Sequence, residues 1–258
     1  MSRRKKLLSG ETPGSVERQF EAELETYRTE VEAALQFFYA FLAIHAAAGD
    51  KKSIYRLLNT APLFWNTVLG GLQTSAFIVL GRVFDQTSPH NVGVLLALAR
   101  NNPSIFSKEA LERRKRGSSR NAHEWIDAYM ASVYVPKESD FRRLQGYVSK
   151  HRKTYVAKYQ DLRHKFFAHK EIVDATLVSA LFARTNIREM QRMLLFCLSL
   201  YDALWSLYMN GKRPILHPRK ISVAKIRKGA GVSSSGAVHV RVVQEIEAFL
   251  VAAAQAHQ

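Results

Sequence analysis

Cysteine is almost absent. One thiol in 258 residues, Cys197, rules out an internal disulfide framework. Its place in the apolar run Met193, Leu194, Leu195, Phe196, Cys197, Leu198 marks it as a buried structural side chain rather than a nucleophile. Proline and glycine are sparse, 7 and 13 residues, so few points in the chain must break a helix. Acidic residues are scarce beside basic ones, 22 against 38, and the formal net charge is +16. A field of that sign concentrates polyanions, which makes nucleic acid the first candidate partner and an anionic membrane surface the second. The basic quartet Arg3, Arg4, Lys5, Lys6 is followed by Glu11, Glu17 and Glu21 where a secretory signal needs an apolar stretch. A reducing, cytoplasmic setting is the expectation.

Catalytic signatures are missing as well. The nine histidines never pair with Cys or carboxylates at ligand spacing, so no metal site is expected, and no cofactor. Neither a Walker loop nor G-x-G-x-x-G nor G-x-S-x-G is present. Between Arg56 and Arg82 there is no charge, a length sufficient to span a bilayer. Asn59, Thr60, Pro62, Asn66, Thr67, Gln73, Thr74 and Ser75, with Gly70 and Gly71, make it costly against lipid. A buried core helix without integral membrane insertion is expected there.

What is present reads as helix. A basic arm, residues 1–14, precedes a helix over 15–48 in which Leu24, Tyr27, Val31, Leu35, Phe38 and Leu42 recur at three- and four-residue steps, with Ser15 as cap. Further helices are expected over 54–84, over 92–100, from a cap at Ser104 to Arg116, over 121–134 and over 137–170. Thr185 is the expected cap of a helix reaching Met209, stopped by Asn210 and Gly211. The run 175–181 is compatible with loop, strand or short helix. Beyond Gly211 come Lys212, Arg213, Arg219, Lys220, Lys225, Arg227 and Lys228 without one acidic residue, then a Gly/Ser-rich stretch. The pattern predicts an all-α helical bundle over 15–211, a basic linker over 212–236 and a terminal helix over 237–258, with no solenoid repeat.

One segment carries chemistry: Asp161, Leu162, Arg163, His164, Lys165, Phe166, Phe167, Ala168, His169, Lys170. A guanidinium is permanently charged and holds phosphate through two nitrogens, and an imidazole exchanges protons near neutrality. Together they suit metal-free RNA cleavage, one group taking the 2′-hydroxyl proton while the cation offsets charge on the phosphorane. On a regular helix, however, positions six apart point about 120° away from each other. Arg163 and His169 then cooperate only if the helix is irregular, the groove is wide or a second subunit completes the site. Otherwise a core histidine and an ordinary ion pair account for both.

Arg82 and Asp85, three apart, read first as a local ion pair and second as a cleft arginine oriented by its carboxylate. Between Arg142 and Lys170 the cations Arg142, Arg143, Lys150, Arg152, Lys153, Lys158, Arg163, Lys165 and Lys170 face Asp161 alone. That side of the long helix is the candidate RNA face. Leu144, Val148, Tyr155, Tyr159, Leu162 and Phe166 form the apolar stripe of that helix. Tyr147, Tyr155 and Tyr159 interleave with the cations, as base-stacking rings or, for most of them, as core residues.

The segment resembles the Arg-x(4–6)-His motif of the HEPN superfamily (higher eukaryotes and prokaryotes nucleotide-binding domain). Five residues separate Arg163 from His169, and His164 occupies the polar position after the arginine. Arg163, Lys165, Ala168 and His169 look like the abortive-infection-associated (AbiU-like) branch. So do three further segments: Leu80, Gly81, Arg82, Val83, Phe84, Asp85; Leu181, Phe182, Ala183, Arg184, Thr185, Asn186, Ile187; and Tyr208, Met209, Asn210, Gly211. The resemblance implies a HEPN-like bundle and a metal-independent endoribonuclease of a prokaryotic toxin–antitoxin, abortive-infection or antiviral system. It implies Arg163 orienting the scissile phosphate, His169 transferring protons, His164 supporting either, and a homodimer with two motifs facing one cleft. An antitoxin is a candidate partner. Lys158, Lys165, Lys170, Arg152, Lys153 and Arg82 are the candidate RNA contacts. The family also contains non-catalytic RNA-binding and interaction modules, which is the alternative reading. HEPN toxins silenced by adenylylation tend to carry a tyrosine two residues after the histidine; Glu171 stands there instead, against that form of control.

Overall fold

The computed structural model describes residues 13–168, 175–229 and 236–256. Among them every regular element is helical. The spine is α1, Pro13–Asp50, whose Leu24, Tyr27, Val31, Leu35 and Phe38 are buried at the predicted spacing, with Leu42 only partly buried and Phe20 buried as well. Burying each such side chain contributes about 1.5–3 kcal/mol. Against α1 pack α3 (Pro62–Phe84), α9 (Ile187–Asn210) and α11 (Val238–Ala256). Tyrosine is unusually common in this core, and its hydroxyls find partners across the bundle. Tyr27 donates to the Cys197 carbonyl at 3.1 Å, and Tyr208 donates to the Glu21 carboxylate at 2.8 Å. Burial pushes the Cys197 thiol up to about 12, so it stays an unreactive packing group.

Pro62 divides the expected helix over 54–84 into α2 (Lys52–Thr60) and α3. A proline cannot donate back to the preceding turn but is accommodated at the first helical position. The expected burial holds only for the second half of α3, where Ala76, Phe77, Val79, Leu80, Val83 and Phe84 enter the core. In the first half Leu63 is 81% and Phe64 59% exposed. By length and composition α1, α3 and α9 are each apolar enough to cross a membrane. The apolar stretch of α9 is 61% buried inside the bundle, that of α3 only 22%.

Asn91 caps α4 (Val92–Asn101), accepting from the N–H groups of Gly93 and Val94. A 3₁₀ turn, Pro103–Phe106, intervenes before α5 (Lys108–Ser118), so Ser107 is the cap there rather than the expected Ser104. Two further helices follow, α6 (Ala122–Ala131) and α7 (Glu138–Lys158). The run 175–181 is helical, within α8 (Ala175–Ala183). Asn186, one residue past the expected Thr185, caps α9 by accepting from the N–H groups of Arg188 and Glu189. The helix ends at Gly211, where φ is +55° and a Cβ would stand 2.6 Å from Val133 Cγ1; backbone and packing both require glycine.

The basic stretch after Gly211 folds back onto the bundle. The carbonyls of Pro214, His217 and Ile221 accept from Arg143, Ser199 and Gln191. A short α10 (Val223–Lys228) then leads toward α11, and the buried Arg227 side chain bridges Asp50 and Glu247 at 2.6 Å each. The tail is tied to the spine through hydrogen bonds and a charge triad, besides apolar contact.

Candidate active site

Regular winding in α7 stops at Lys158, short of the expected 170, and Leu162–Ala168 form a π-helix, a wider turn that recurs at functional sites. Tyr159 marks the change. Its hydroxyl donates to the Asn186 carbonyl at 3.0 Å and its ring packs on Phe77. Of the three conditions under which Arg163 and His169 could cooperate, the irregular helix is present as far as Ala168, and His169 itself lies outside the described residues.

The wider turn brings two consecutive side chains onto one carboxylate. Arg163 Nη1 donates to Asp85 Oδ2 at 2.7 Å, and His164 Nε2 lies 2.9 Å from the same oxygen. Asp85 is the residue at which α3 ends, and it is 4% exposed. Its other oxygen accepts from the Thr87 N–H at 3.1 Å and the Thr87 hydroxyl at 3.0 Å. Burial alone pushes this carboxyl up. The Thr87 hydrogen bonds, then His164 and Arg163, outweigh burial and hold it below the ordinary carboxylate range. Asp85 is therefore a fixed anion at neutral pH.

His164 Nε2 is also 2.7 Å from Arg163 Nη1. One ring nitrogen cannot serve both neighbours at once: unprotonated it accepts from the guanidinium, protonated it donates to Asp85. Which neighbour the ring serves depends on which of its nitrogens carries the hydrogen.

Gly81 makes room for this arrangement. A Cβ there would stand 2.3 Å from both Cδ and Nε of Arg163, so the arginine lies against bare helix backbone. Arg163 Nε and the Tyr155 hydroxyl are buried without a hydrogen-bond partner among the described residues. Burial pushes the Tyr155 hydroxyl up to about 12, with the Arg163 charge pulling the other way.

Beside Arg163 opens a cleft of about 400 Å³, whose walls include Glu30, Arg82, Thr87 and His90. Arg82 pairs with Glu30 at 3.2 Å, not with Asp85. The local pairing expected three residues apart gives way to Arg163, 78 positions downstream, which with His164 reaches the buried carboxylate from the opposing segment. Arg82 does line the cleft. His90, held by Glu23 at 3.0 Å, and Thr87 were not foreseen. The signal for them was the turn residues Ser88 and Pro89 following the family-like Leu80 to Asp85 segment, which curl His90 back toward that segment.

The other expected contacts separate into groups. Lys158 is bound by Glu189 at 2.7 Å and Lys165 by Asp161 at 3.4 Å. Arg152 and Lys153 have no ion pair among the described residues. Tyr155 and Tyr159 are fully buried core residues and unavailable for stacking on a base; Tyr147 is exposed. His169 and Lys170 lie outside the described residues. Among the described residues no His, Cys, Asp or Glu group is arranged to hold a metal ion.

The family model of the AbiU2 HEPN domain matches residues 17–221, which takes in nearly all of α1, the helices α2 to α9, the Arg163 turn and the returning basic segment, and leaves out α10 and α11. No curated protein and no solved structure is similar enough to match the chain.

Proposed function

The chain belongs to the AbiU2 family of HEPN domains, an abortive-infection-associated group, and from that premise we propose that it is an endoribonuclease of a prokaryotic defence or toxin system that cuts RNA without a metal ion. The observation that carries this reading is the anchoring of Arg163 and His164 on buried Asp85 at the wall of an open cleft.

Arg163, with Nη1 committed to Asp85, holds a non-bridging oxygen of the scissile phosphate through the rest of its guanidinium. A histidine takes the proton of the 2′-hydroxyl. The new O2′–P bond forms as the P–O5′ bond breaks, and the 5′ oxygen receives a proton from a second imidazole. The products are a 2′,3′-cyclic phosphate and a 5′-hydroxyl. His169 is the proton-transfer group that the family motif supplies, His164 orients or relays, and a second copy of the chain faces the first so that two motifs share one cleft. Arg82 is neutralised by an exposed ion pair with Glu30 of small net value, so an incoming phosphate displaces that carboxylate at low cost.

The test is digestion of unstructured RNA in EDTA by the wild-type, Arg163→Ala and His169→Ala chains. Wild type is expected to leave cyclic phosphate ends, and each substitution to slow cleavage by about a hundredfold or more. Equal cleavage by all three removes the assignment. Salt-sensitive RNA binding with no cleavage at any pH transfers the chain to the non-catalytic reading, for which the burial of the Arg163–Asp85 pair as a purely structural bridge would then account.

A further inference from the structure

Away from the Arg163 cleft, a second recess lies where α7, α9 and the returning segment 212–222 meet. It encloses about 360 Å³, within the range of cavities that hold small organic groups, and Tyr147, His151, Arg192, Phe196 and His217 are on its walls. Tyr147 and His151 are one turn apart on α7, so both side chains leave the helix on the same side. Tyr147 is 46% exposed, whereas Tyr155 of the same helix and Tyr159 just beyond it are buried. A large ring is left at the surface where the fold has no need of it.

His151 stacks on Phe196, with centroids 4.0 Å apart and planes 21° from parallel, so two flat rings already form a platform. The charge around it is of one sign. Lys150 and Arg192 are exposed and have no ion pair among the described residues. Arg219 alone on this wall is neutralised, by Asp202. Burial, followed by the Lys150 and Arg192 charges, pushes the His151 imidazole down to about 4. The ring is therefore neutral at physiological pH, with one nitrogen that donates and one that accepts, as the edge of a base requires.

We propose that this recess binds an unpaired nucleotide of a single-stranded RNA, the base stacking on Tyr147 and the His151–Phe196 platform and the phosphates lying against Lys150 and Arg192. The proposal rests on RNA being the substrate of this chain. It adds a second contact on α7, ahead of the Arg163 turn, that selects unpaired over duplex RNA. Cations and open rings together are what single strands use; a duplex keeps its base faces covered and an acidic peptide uses only the cations.

The experiment measures binding of the wild-type chain to a fully 2′-O-methylated 12-mer, which lacks the attacking hydroxyl and cannot be cut. The same strand in a duplex and the free mononucleotides are the other ligands. Tyr147→Ala with Arg192→Ala is expected to weaken single-strand binding about tenfold or more. The salt slope should fall by about 0.7 for the lost cation. Tyr147→Phe with Arg192 retained should bind as wild type, and duplex affinity should change by less than twofold. Unchanged single-strand affinity in the double variant overturns the proposal, as does equal weakening of both RNAs, mononucleotide binding as tight as that of the 12-mer, or no binding by wild type. These outcomes stand apart from those of the cleavage reading. A double variant that still cuts RNA through Arg163 with undiminished affinity sinks the recess alone, and a chain that binds here but cuts nothing sinks cleavage alone.

Discussion

Two histidines on adjoining stretches of chain, His164 and His151, sit in opposite electrostatic surroundings. His164 touches a buried carboxylate that a neighbouring threonine holds in place. His151 is pressed against Phe196 between Lys150 and Arg192, and every neighbour disfavours a proton. The same side chain lies against a carboxylate in one place and is held neutral between cations in the other. What separates them is a single buried acid, Asp85, which reaches the first and not the second.

Removing that acid gives the largest effect. In Asp85→Asn the guanidinium of Arg163 keeps its burial but loses its counter-charge, and His164 loses the oxygen to which it donates. RNA cleavage is expected to fall about a hundredfold or more. Breaking a largely buried pair costs about 3 kcal/mol, a melting temperature lower by several degrees. The pH dependence fixes the cause. A carboxyl held below its ordinary value in the folded chain stabilises fully above the unfolded value near ~4, and that contribution is lost as pH falls through the folded value. The variant's stability should therefore lack the acid limb below about pH 4 that wild type shows. Full cleavage by Asp85→Asn would reduce the contact to packing.

That dependence on Asp85 also shows where reading the sequence stops. The bundle was legible because Leu24, Tyr27, Val31, Leu35 and Phe38 repeat at helical spacing with little proline or glycine between them. Arg163 and His164 were legible because a guanidinium beside an imidazole has a chemistry of its own. The partner of Arg163 was not. Spacing along one helix pairs Asp85 with Arg82, and nothing local announces an arginine 78 residues away. The π turn was equally hidden, since no proline or glycine enforces it; Tyr159 and its contacts on Asn186 and Phe77 do, and these exist only after folding. Spacing did tell Tyr147 from Tyr155 and Tyr159: the latter two fall on the apolar stripe with Leu144, Val148 and Leu162 and are buried, whereas Tyr147 lies off it and stays exposed.

A smaller effect separates position from charge at the first histidine. Gly81→Ala keeps Asp85, Arg163 and His164 but places a methyl group 2.3 Å from Arg163 Cδ and Nε, so the flexible arginine must shift. Displacement of about 1 Å at a reacting centre costs up to about a hundredfold in rate. A fall in kcat of about tenfold is expected, with KM changed far less and the melting temperature within a few degrees of wild type. Unaltered kcat would mean that the close approach of Arg163 to α3 has no part in positioning it.

The smallest effect belongs to the second histidine and is read in stability. With its imidazole held near 4 in the folded chain and near ~6.5 when unfolded, His151 binds a proton more readily after unfolding. Acidification from pH 6.5 toward 4 therefore draws the chain toward the unfolded state, and the loss is complete only below the folded value. His151→Gln removes the titration and should flatten this part of the stability profile, leaving the lower limb due to Asp85 in place. An NMR titration of wild type should show the His151 ring still neutral at pH 5.5. A midpoint near its ordinary value would erase the contrast between the two histidines, because the recess would then carry a third cation and hold phosphate by charge rather than a base by its face and edge.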